Sequence, residues 1–304
     1  MKLTKRLSDW LHASPATAAS PSIGIDPRLL SSLLSMAWLV EARDPYTGGH
    51  LWRVSQYCTL LAQGAGLPLE EVQLIALGGF VHDLGKVGIP DAVLRKPGPL
   101  DEEEFDVIKT HPDIGRRLLE SHPLAERVMD AVWAHHEMPN GRGYPRGLIG
   151  DQIPRMAAIT GICDAFDAMT SDRPYRKGMS PTVALKAVED GAGTQFDHDY
   201  AHLFARIGRE GKLNHILGHT DVGIPLRRCE GCGPTVTVSR DNKVGDVVFC
   251  AACGMGYELY RPKEAAPLGV RATGARGSAS QLNPLPDKSL ILDLAGQFTS
   301  SPQR

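Results

Sequence analysis

Between residues 26 and 209 the apolar positions recur at spacings of three and four, the signature of helices that each bury one face. After Asp26-Pro27, a cap and first-turn proline, the run LLSSLLSMAWLVEA predicts a helix ending near Arg43. DPYTGGH breaks the chain, and His50 opens a second helix with Leu51, Val54, Cys58 and Leu61 on one stripe. A third runs from Leu69 to Leu84, with Leu74, Leu77, Val81 and Leu84 inward, His82-Asp83 beside that face, and Gly85 and Gly88 ending it. The acidic run DEEEFDVIK suits a helix N-terminus, and His111-Pro112 interrupts that helix. Further helices are expected around Arg116 to Glu120, over Leu124 to His136 and Ile153 to Thr170, from Ser180-Pro181, and over Tyr200 to Arg209. The glycine-rich segment MPNGRGYPRGLIG between two of them must be a loop.

The pattern changes near Ile224. IPLRRC, PTVTVSR, DVVFC and GYELYR are short β-prone runs separated by turn signals such as Asp241-Asn242 and Gly245. The fold class is therefore mainly α, a helical bundle followed by a small β-rich module and a flexible tail. The divisions are a flexible leader at 1–25, rich in Ser, Ala, Thr and Pro; a helical domain at 26–215; a β-rich module at 222–262; and a mostly disordered tail at 263–304. In that tail, LILDLAGQF is an apolar patch able to dock or form a short helix.

Composition narrows the function classes. The 304 residues, 42% of them hydrophobic, suffice for a packed core and about two domains. A formal charge of −2 and pI near 6.6 give no basic footprint for nucleic acid. No run approaches the roughly 18 apolar residues of a membrane span, and Asp9 and His12 break the basic start before a secretory core can form, so a cytoplasmic protein is expected.

Seven residues at helix ends or on inward faces are candidate metal ligands: His50, His82, Asp83, His111, His135, His136 and Asp164. Mixed nitrogen and carboxylate donors suit iron, manganese, zinc or nickel and argue against an all-oxygen calcium site. Seven exceed the needs of one ion, and a shared carboxylate such as Asp83 would bridge two ions about 3.5–4 Å apart, with a water or hydroxide between them made nucleophilic at neutral pH. A lone His-Asp pair has a blander reading, a buried carboxylate compensated by a nearby cation.

H82-D83-x-G85-K86, the later His111, H135-H136-E137, the loop N140-G-R-G-Y-P145, T47-G-G-H50 and D172-R-P-Y175 together resemble the HD-GYP family of cyclic dinucleotide phosphodiesterases. The resemblance covers roughly Pro45 to Phe204. It implies a helical phosphohydrolase fold and a binuclear divalent centre, iron or manganese favoured, held by His82, Asp83, His111, His135, His136 and Asp164, with His50 a further ligand or near neighbour. It implies that Lys86 contacts the scissile phosphate, where a point charge stabilises developing negative charge. The glycines, Gly143 among them, let backbone approach a ligand, while Tyr144, Arg173 and Arg176 would meet base or phosphate. The reaction implied is hydrolysis of cyclic di-GMP to pGpG and onward to GMP; the alternatives are another cyclic dinucleotide or nucleotide as substrate, or a catalytically silent receptor or scaffold. The chain departs from the family at Tyr46, where some relatives carry a Glu that serves a third metal, and at Pro139-Asn140, where Trp-Asp is usual; the first makes a third ion less expected and the second puts loop shape and substrate preference in question. Glu137 is expected to orient a ligand histidine.

Cys229-x2-Cys232 and Cys250-x2-Cys253, 17 residues apart, read as a zinc ribbon with one structural zinc in tetrahedral thiolate coordination. A closed four-thiolate site leaves no open catalytic position, so the expected role is structural, or a protein contact or self-association. Arg227, Arg228, Arg240 and Lys243 are interleaved with Glu230, Asp241 and Asp246, which argues against nucleic acid as a partner. Cys58 and Cys163 read as core residues, and the remaining histidines as surface or packing residues.

Overall fold

The computed structural model describes residues 25–173, 176–283 and 285–299. The expected leader, apart from Ile25, lies outside the described residues, as do Pro174 and Tyr175 of the DRPYR segment. The helical part comprises α1 (Pro27–Glu41), α2 (His50–Gly64), α3 (Leu69–Val81), a 3-10 turn (Leu84–Gly88), α4 (Asp91–Leu94), α5 (Glu102–Ile108), α6 (His111–Leu119), α7 (Ala125–Ala134), α8 (Arg155–Thr170), α9 (Pro181–Asp190) and α10 (His198–Arg209).

Local sequence explains most boundaries. Asp26 accepts a hydrogen bond from Arg28 N at 2.8 Å and starts α1, and Asp101 with Glu104 forms a capping box on α5. Ser180 caps α9, and Asp197 caps α10 through the Asp199 and Tyr200 amides. The expected stripe of α2, Leu51, Val54, Cys58 and Leu61, is buried throughout. It meets Leu77 and Val81 of α3 and Ile159, Ile162 and Phe166 of α8 in one continuous core. There Tyr57, Phe166 and Phe204 pack edge to face with centroids 5.0 to 6.1 Å apart.

The third helix ends earlier than its periodicity suggests. It stops at Val81, and Leu84 belongs to the 3-10 turn. The reason lies at Gly85, where a Cβ atom would sit 1.8 Å from the His111 carbonyl oxygen. The chain leaves the helix to lay this turn directly on the backbone of α6, an approach only glycine permits.

After α10 come three small antiparallel sheets. β1 (His219–Asp221) pairs with β2 (Ile224–Pro225), and β3 (Arg227–Cys229) with β4 (Gly233–Val236). The third sheet has the order β5 (Val247–Phe249), β6 (Met255–Tyr260), β7 (Gly269–Arg276). α11 (Ala279–Leu282) and α12 (Lys288–Thr299) complete the described chain.

This differs from the expectation of a mostly disordered tail over 263–304. β7 extends the module's sheet by pairing with β6, and α12 lies against α1 and α3. Leu290, Ile291, Leu294, Ala295 and Phe298 are buried in the same core as the helical domain. The composition of the tail is poor in apolar residues, but LILDLAGQF concentrates enough of them on one helix face to offset the entropy of ordering it. Among the described residues, no helix is long and apolar enough to cross a membrane.

Candidate metal centre

The candidate ligands come from five places in the fold. His50 opens α2, His82 and Asp83 follow the end of α3, His111 opens α6, His135 and His136 follow α7, and Asp164 lies in the middle of α8. Helix ends free these side chains from ridge packing, and the close approach at Gly85 brings His111 against Asp83.

All seven converge. His50 Nε2 is 3.5 Å from both Asp83 Oδ2 and Asp164 Oδ1, and His82 Nε2 is 3.4 and 3.8 Å from the same two oxygens. On the other side, His111 Nε2 lies 3.5 Å from Asp83 Oδ1. His50, His82 and Asp164 thus form one donor group, and His111, His135 and His136 a second; within each, the donor atoms lie within 4.8 Å of one another. Asp83 turns one carboxylate oxygen to each group, which is the geometry of a bridging ligand.

The ring nitrogens test whether the cluster suits metal. Nδ1 of His82 donates to Gly79 O at 2.8 Å, that of His111 to Ile108 O at 2.8 Å, and that of His135 to Ala131 O at 2.6 Å. A carbonyl only accepts, so each Nδ1 carries a ring proton and each Nε2 is turned inward. Burial drives His111 down to about 3 and His136 to about 4, and His135 well below its usual value, so these rings are neutral. His111 Nε2 and His135 Nε2 then face each other at 3.2 Å, and His82 Nε2 is enclosed with no hydrogen-bond partner. Opposed lone pairs beside two carboxylates are repulsive unless a cation sits among them. The donor set fits a divalent pair.

Asp83 and Asp164 are held well below the usual carboxylate range. Burial alone would raise them, but Lys86 and His82 outweigh it at Asp83, and His82 and His50 do so at Asp164. Burial lowers His50 as well, yet hydrogen bonds to Asp167 and Asp83 bring it to about 9. Lys86 Nζ lies 2.6 Å from Asp83 Oδ2, and the Asp83 and Asp164 carboxylates hold it protonated against the effect of burial.

Two residues without an assigned role in the sequence complete the first group. Asp167 Oδ2 accepts from His50 Nδ1 at 2.8 Å, and Arg53 grips both Asp167 oxygens at 2.6 and 2.9 Å. Arg53 Nη1 also donates to Gly48 O and His219 O, each at 2.9 Å, so the orientation of His50 is tied to β1. A signal for both exists in the chain: Asp164 and Asp167 are three apart on an otherwise apolar helix, and Arg53 is three residues after His50.

Glu137 does not reach a ligand histidine. Its carboxylate accepts from Arg146 N at 2.7 Å and Leu148 N at 2.8 Å, organising the glycine-rich loop instead. A Cβ on Gly143 would lie 2.3 Å from Met138 N, so the loop folds tightly onto the His135-His136 corner. Tyr144 consequently stacks on His136, centroids 4.7 Å apart. Arg176 donates to Ala168 O at 2.7 Å and Met169 O at 3.4 Å, closing the end of α8, while Arg173 lies 3.8 Å from Asp44.

Cavities border several of the candidate site residues. One of about 470 Å³ is lined by Phe105, His135, His136, Tyr144, Asp164 and Tyr200. Another, about 390 Å³, lies between Tyr46, Asp172, Arg173, Arg176, Lys177 and Arg228.

Further along the chain, the Sγ atoms of Cys229, Cys232, Cys250 and Cys253 lie within 4.8 Å of one another, and those of Cys229 and Cys253 are 3.7 Å apart. That spacing matches the edge of a tetrahedron with Zn–S bonds of about 2.3 Å, whose sulfurs stand about 3.8 Å apart. Burial raises Cys229, but Tyr257 and the Gly231 and Cys232 amides bring its thiol down to about 6.

The chain spans about half the length of the curated relatives it matches. RpfG, a cyclic di-GMP phosphodiesterase response regulator of Xanthomonas campestris pv. campestris, is 40% identical over 175 residues, 57% of this chain and 46% of the relative. The cyclic di-GMP phosphodiesterase PA4108 of Pseudomonas aeruginosa is 36% identical over 200 residues, 65% and 47% of the two chains. The 3′3′-cGAMP-specific phosphodiesterase 3 of Vibrio cholerae is 34% identical over 198 residues, 65% and 42%. The family model for the HD domain matches residues 35–200, more than half of the chain and the whole span of the ligand cluster. With His82-Asp83 at the centre of that cluster, the chain belongs to the HD-domain family.

Proposed function

We propose that this chain is a metal-dependent phosphodiesterase that opens cyclic di-GMP to pGpG and can continue to GMP. The observation that carries this reading is the inward Nε2 atoms of His82, His111 and His135, gathered with His50, His136 and Asp164 around a two-sided Asp83. When bound, a divalent pair, iron or manganese favoured by this donor set, would act as Lewis acid on a phosphoryl oxygen and lower the pKa of a bound water.

The chain's own residues supply the rest. Asp83 spans the two donor groups and fixes their separation. Asp167 and Arg53 hold His50 in one ring orientation. Lys86, protonated and partly exposed, offers its ammonium to the negative charge that builds on the phosphoryl group as the P–O3′ bond breaks. Tyr144, stacked on His136, presents ring and hydroxyl to the 470 Å³ cavity, suited to a purine or ribose. Arg173 and Arg176 add positive charge in the 390 Å³ cavity.

Cys229, Cys232, Cys250 and Cys253 are proposed to hold one structural zinc, in a cytoplasmic setting that keeps thiols reduced. Relatives carry names for both cyclic di-GMP and 3′3′-cGAMP, so the second base of the substrate is an open choice within this reading.

The test is chromatographic. Purified protein, anaerobic and supplied with Fe(II) or Mn(II), is assayed on cyclic di-GMP and 3′3′-cGAMP beside Asp83→Ala. Metal-dependent pGpG or GMP is expected from cyclic di-GMP, with product at background and metal content lost in the variant. Hydrolysis that survives Asp83→Ala would overturn the site.

A further inference from the structure

The 390 Å³ cavity joins two parts of the chain with no sequence motif in common. One wall is made by Asp172, Arg173, Arg176 and Lys177; the other is Arg228 of β3 and the first cysteine knuckle, Glu230 to Thr235. Arg173, Arg176, Lys177 and Arg228 line it against two acids, Asp172 and Glu230. Asp172 is already engaged, accepting from Gly178 N at 2.9 Å and pairing with Arg228 at 3.2 Å. Arg176 spends its donors on neutral carbonyls, so its charge is uncompensated. Among the charged side chains that line the cavity, four basic groups stand against two acids.

One ion pair separates it from the surroundings of the metal cluster. Arg173 contacts Asp44, and Asp44 lines a small void with His50, Asp83 and Lys86. The volume falls within the range of small-molecule sites, about 300–1,000 Å³. Tyr46 adds an aromatic face on which a base can stack.

We infer that the first cysteine knuckle is the outer wall of the nucleotide site, and that Arg228 binds the second, non-scissile phosphate of a cyclic dinucleotide. This rests on the phosphodiesterase reading. A cyclic dinucleotide carries two phosphates, and while one is at the metal cluster the other needs a countercharge some distance away. Arg228 is on a strand that ends in Cys229, so the cysteine cluster fixes its backbone, while its side chain is 65% exposed and only loosely held by Asp172. An exposed pair of this kind is worth at most about 1 kcal/mol, so a phosphate can replace Asp172 as partner. The module thereby becomes a determinant of substrate size: it serves a dinucleotide and is indifferent to a small phosphodiester that reaches only the metals.

The experiment compares Arg228→Ala, Arg228→Lys and the exposed-site control Lys243→Ala with the wild type on two substrates, cyclic di-GMP and bis(p-nitrophenyl) phosphate, after checking zinc content. Loss of one charged hydrogen bond predicts a roughly tenfold rise in KM for cyclic di-GMP in Arg228→Ala. The same variant should show kcat within about twofold of wild type and unchanged turnover of the small diester; Arg228→Lys should recover part of the loss and Lys243→Ala should behave as wild type. An unchanged KM in Arg228→Ala, with the wild type active, overturns this inference and leaves the phosphodiesterase reading intact. An equal loss on both substrates also overturns it, because Arg228 would then act by shaping the metal centre. Wild-type protein that cleaves the small diester and no cyclic dinucleotide overturns the reading and this inference together.

Discussion

The helical region and the cysteine module hold their metal candidates in place by different physics. Around the HD cluster, order comes from apolar burial: α1, α2, α3, α7, α8 and α10 share one core, and α12 joins it from the far end of the chain. Around the four thiols, the buried apolar cluster contains Cys229, Val236, Cys250 and Tyr257, so half of it is the ligand set itself. One site is set in an extended apolar core; the other has little buried around it besides its own thiols. Yet the two are stitched together. Arg53 reaches His219 O, Arg240 ion-pairs with buried Asp221, and Arg240 also bonds Asp293 on α12.

The largest expected effect comes from breaking the weaker side of this contrast. Zinc sites in small modules are worth an apparent ~10–16 kcal/mol, far beyond what four buried residues supply. Cys250→Ser should release the zinc and expose residues 219–276 to protease, while the far-UV helical signal of the remainder persists. Protease mapping with zinc analysis checks this; a module that stays protected without zinc would show that its sheets stand on their own.

A smaller effect tests whether α12 belongs to the helical side. Leu294 is fully buried in the main core, and replacing a core Leu by Ala typically costs about 2–5 kcal/mol. Leu294→Ala should lower the thermal midpoint of the helical domain without releasing zinc. A midpoint that does not move would mean that α12 is an appendage.

The smallest of the three sharpens the link between the regions. Asp167→Asn keeps the shape of the side chain but removes the carboxylate that Arg53 grips and that His50 donates to. Loss of an outer partner of a ligand histidine typically costs about 10- to 100-fold in metal affinity or activity. Metal titration of the variant should fall in that range, with zinc at the cysteines unaffected; wild-type affinity would show that His50 needs no such support.

Much of this is legible along the chain. The seven candidate ligands are of a type that is costly to bury unpaired, six of them lie at predicted helix ends and Asp164 on an inward helix face, so their convergence can be anticipated from residue type and position. Helices α1, α2, α8, α9 and α10 are marked by caps, prolines and unbroken periodicity. Periodicity misplaces the end of α3 by three residues because the steric demand of Gly85 against His111 comes from a segment 26 positions away. β7 escapes the pattern because its sequence, GVRATGAR, has little apolar alternation and is held chiefly by its ladder with β6.

The helical class, the order of the ligand residues and the tetrahedral set of thiols are written in the chain, because residue type and local spacing are properties of sequence neighbours. Folding in three dimensions supplies the rest: that Asp83 faces two donor groups, that Arg53 and Asp167 lock His50, that Glu137 serves the loop, that α12 closes the core, and that Arg228 faces Arg173 across a cavity. Each of these is a meeting of residues from separate elements, most of them far apart in the chain. Burial brings them to within a few ångströms and so fixes ring tautomers and charge states that no local pattern encodes.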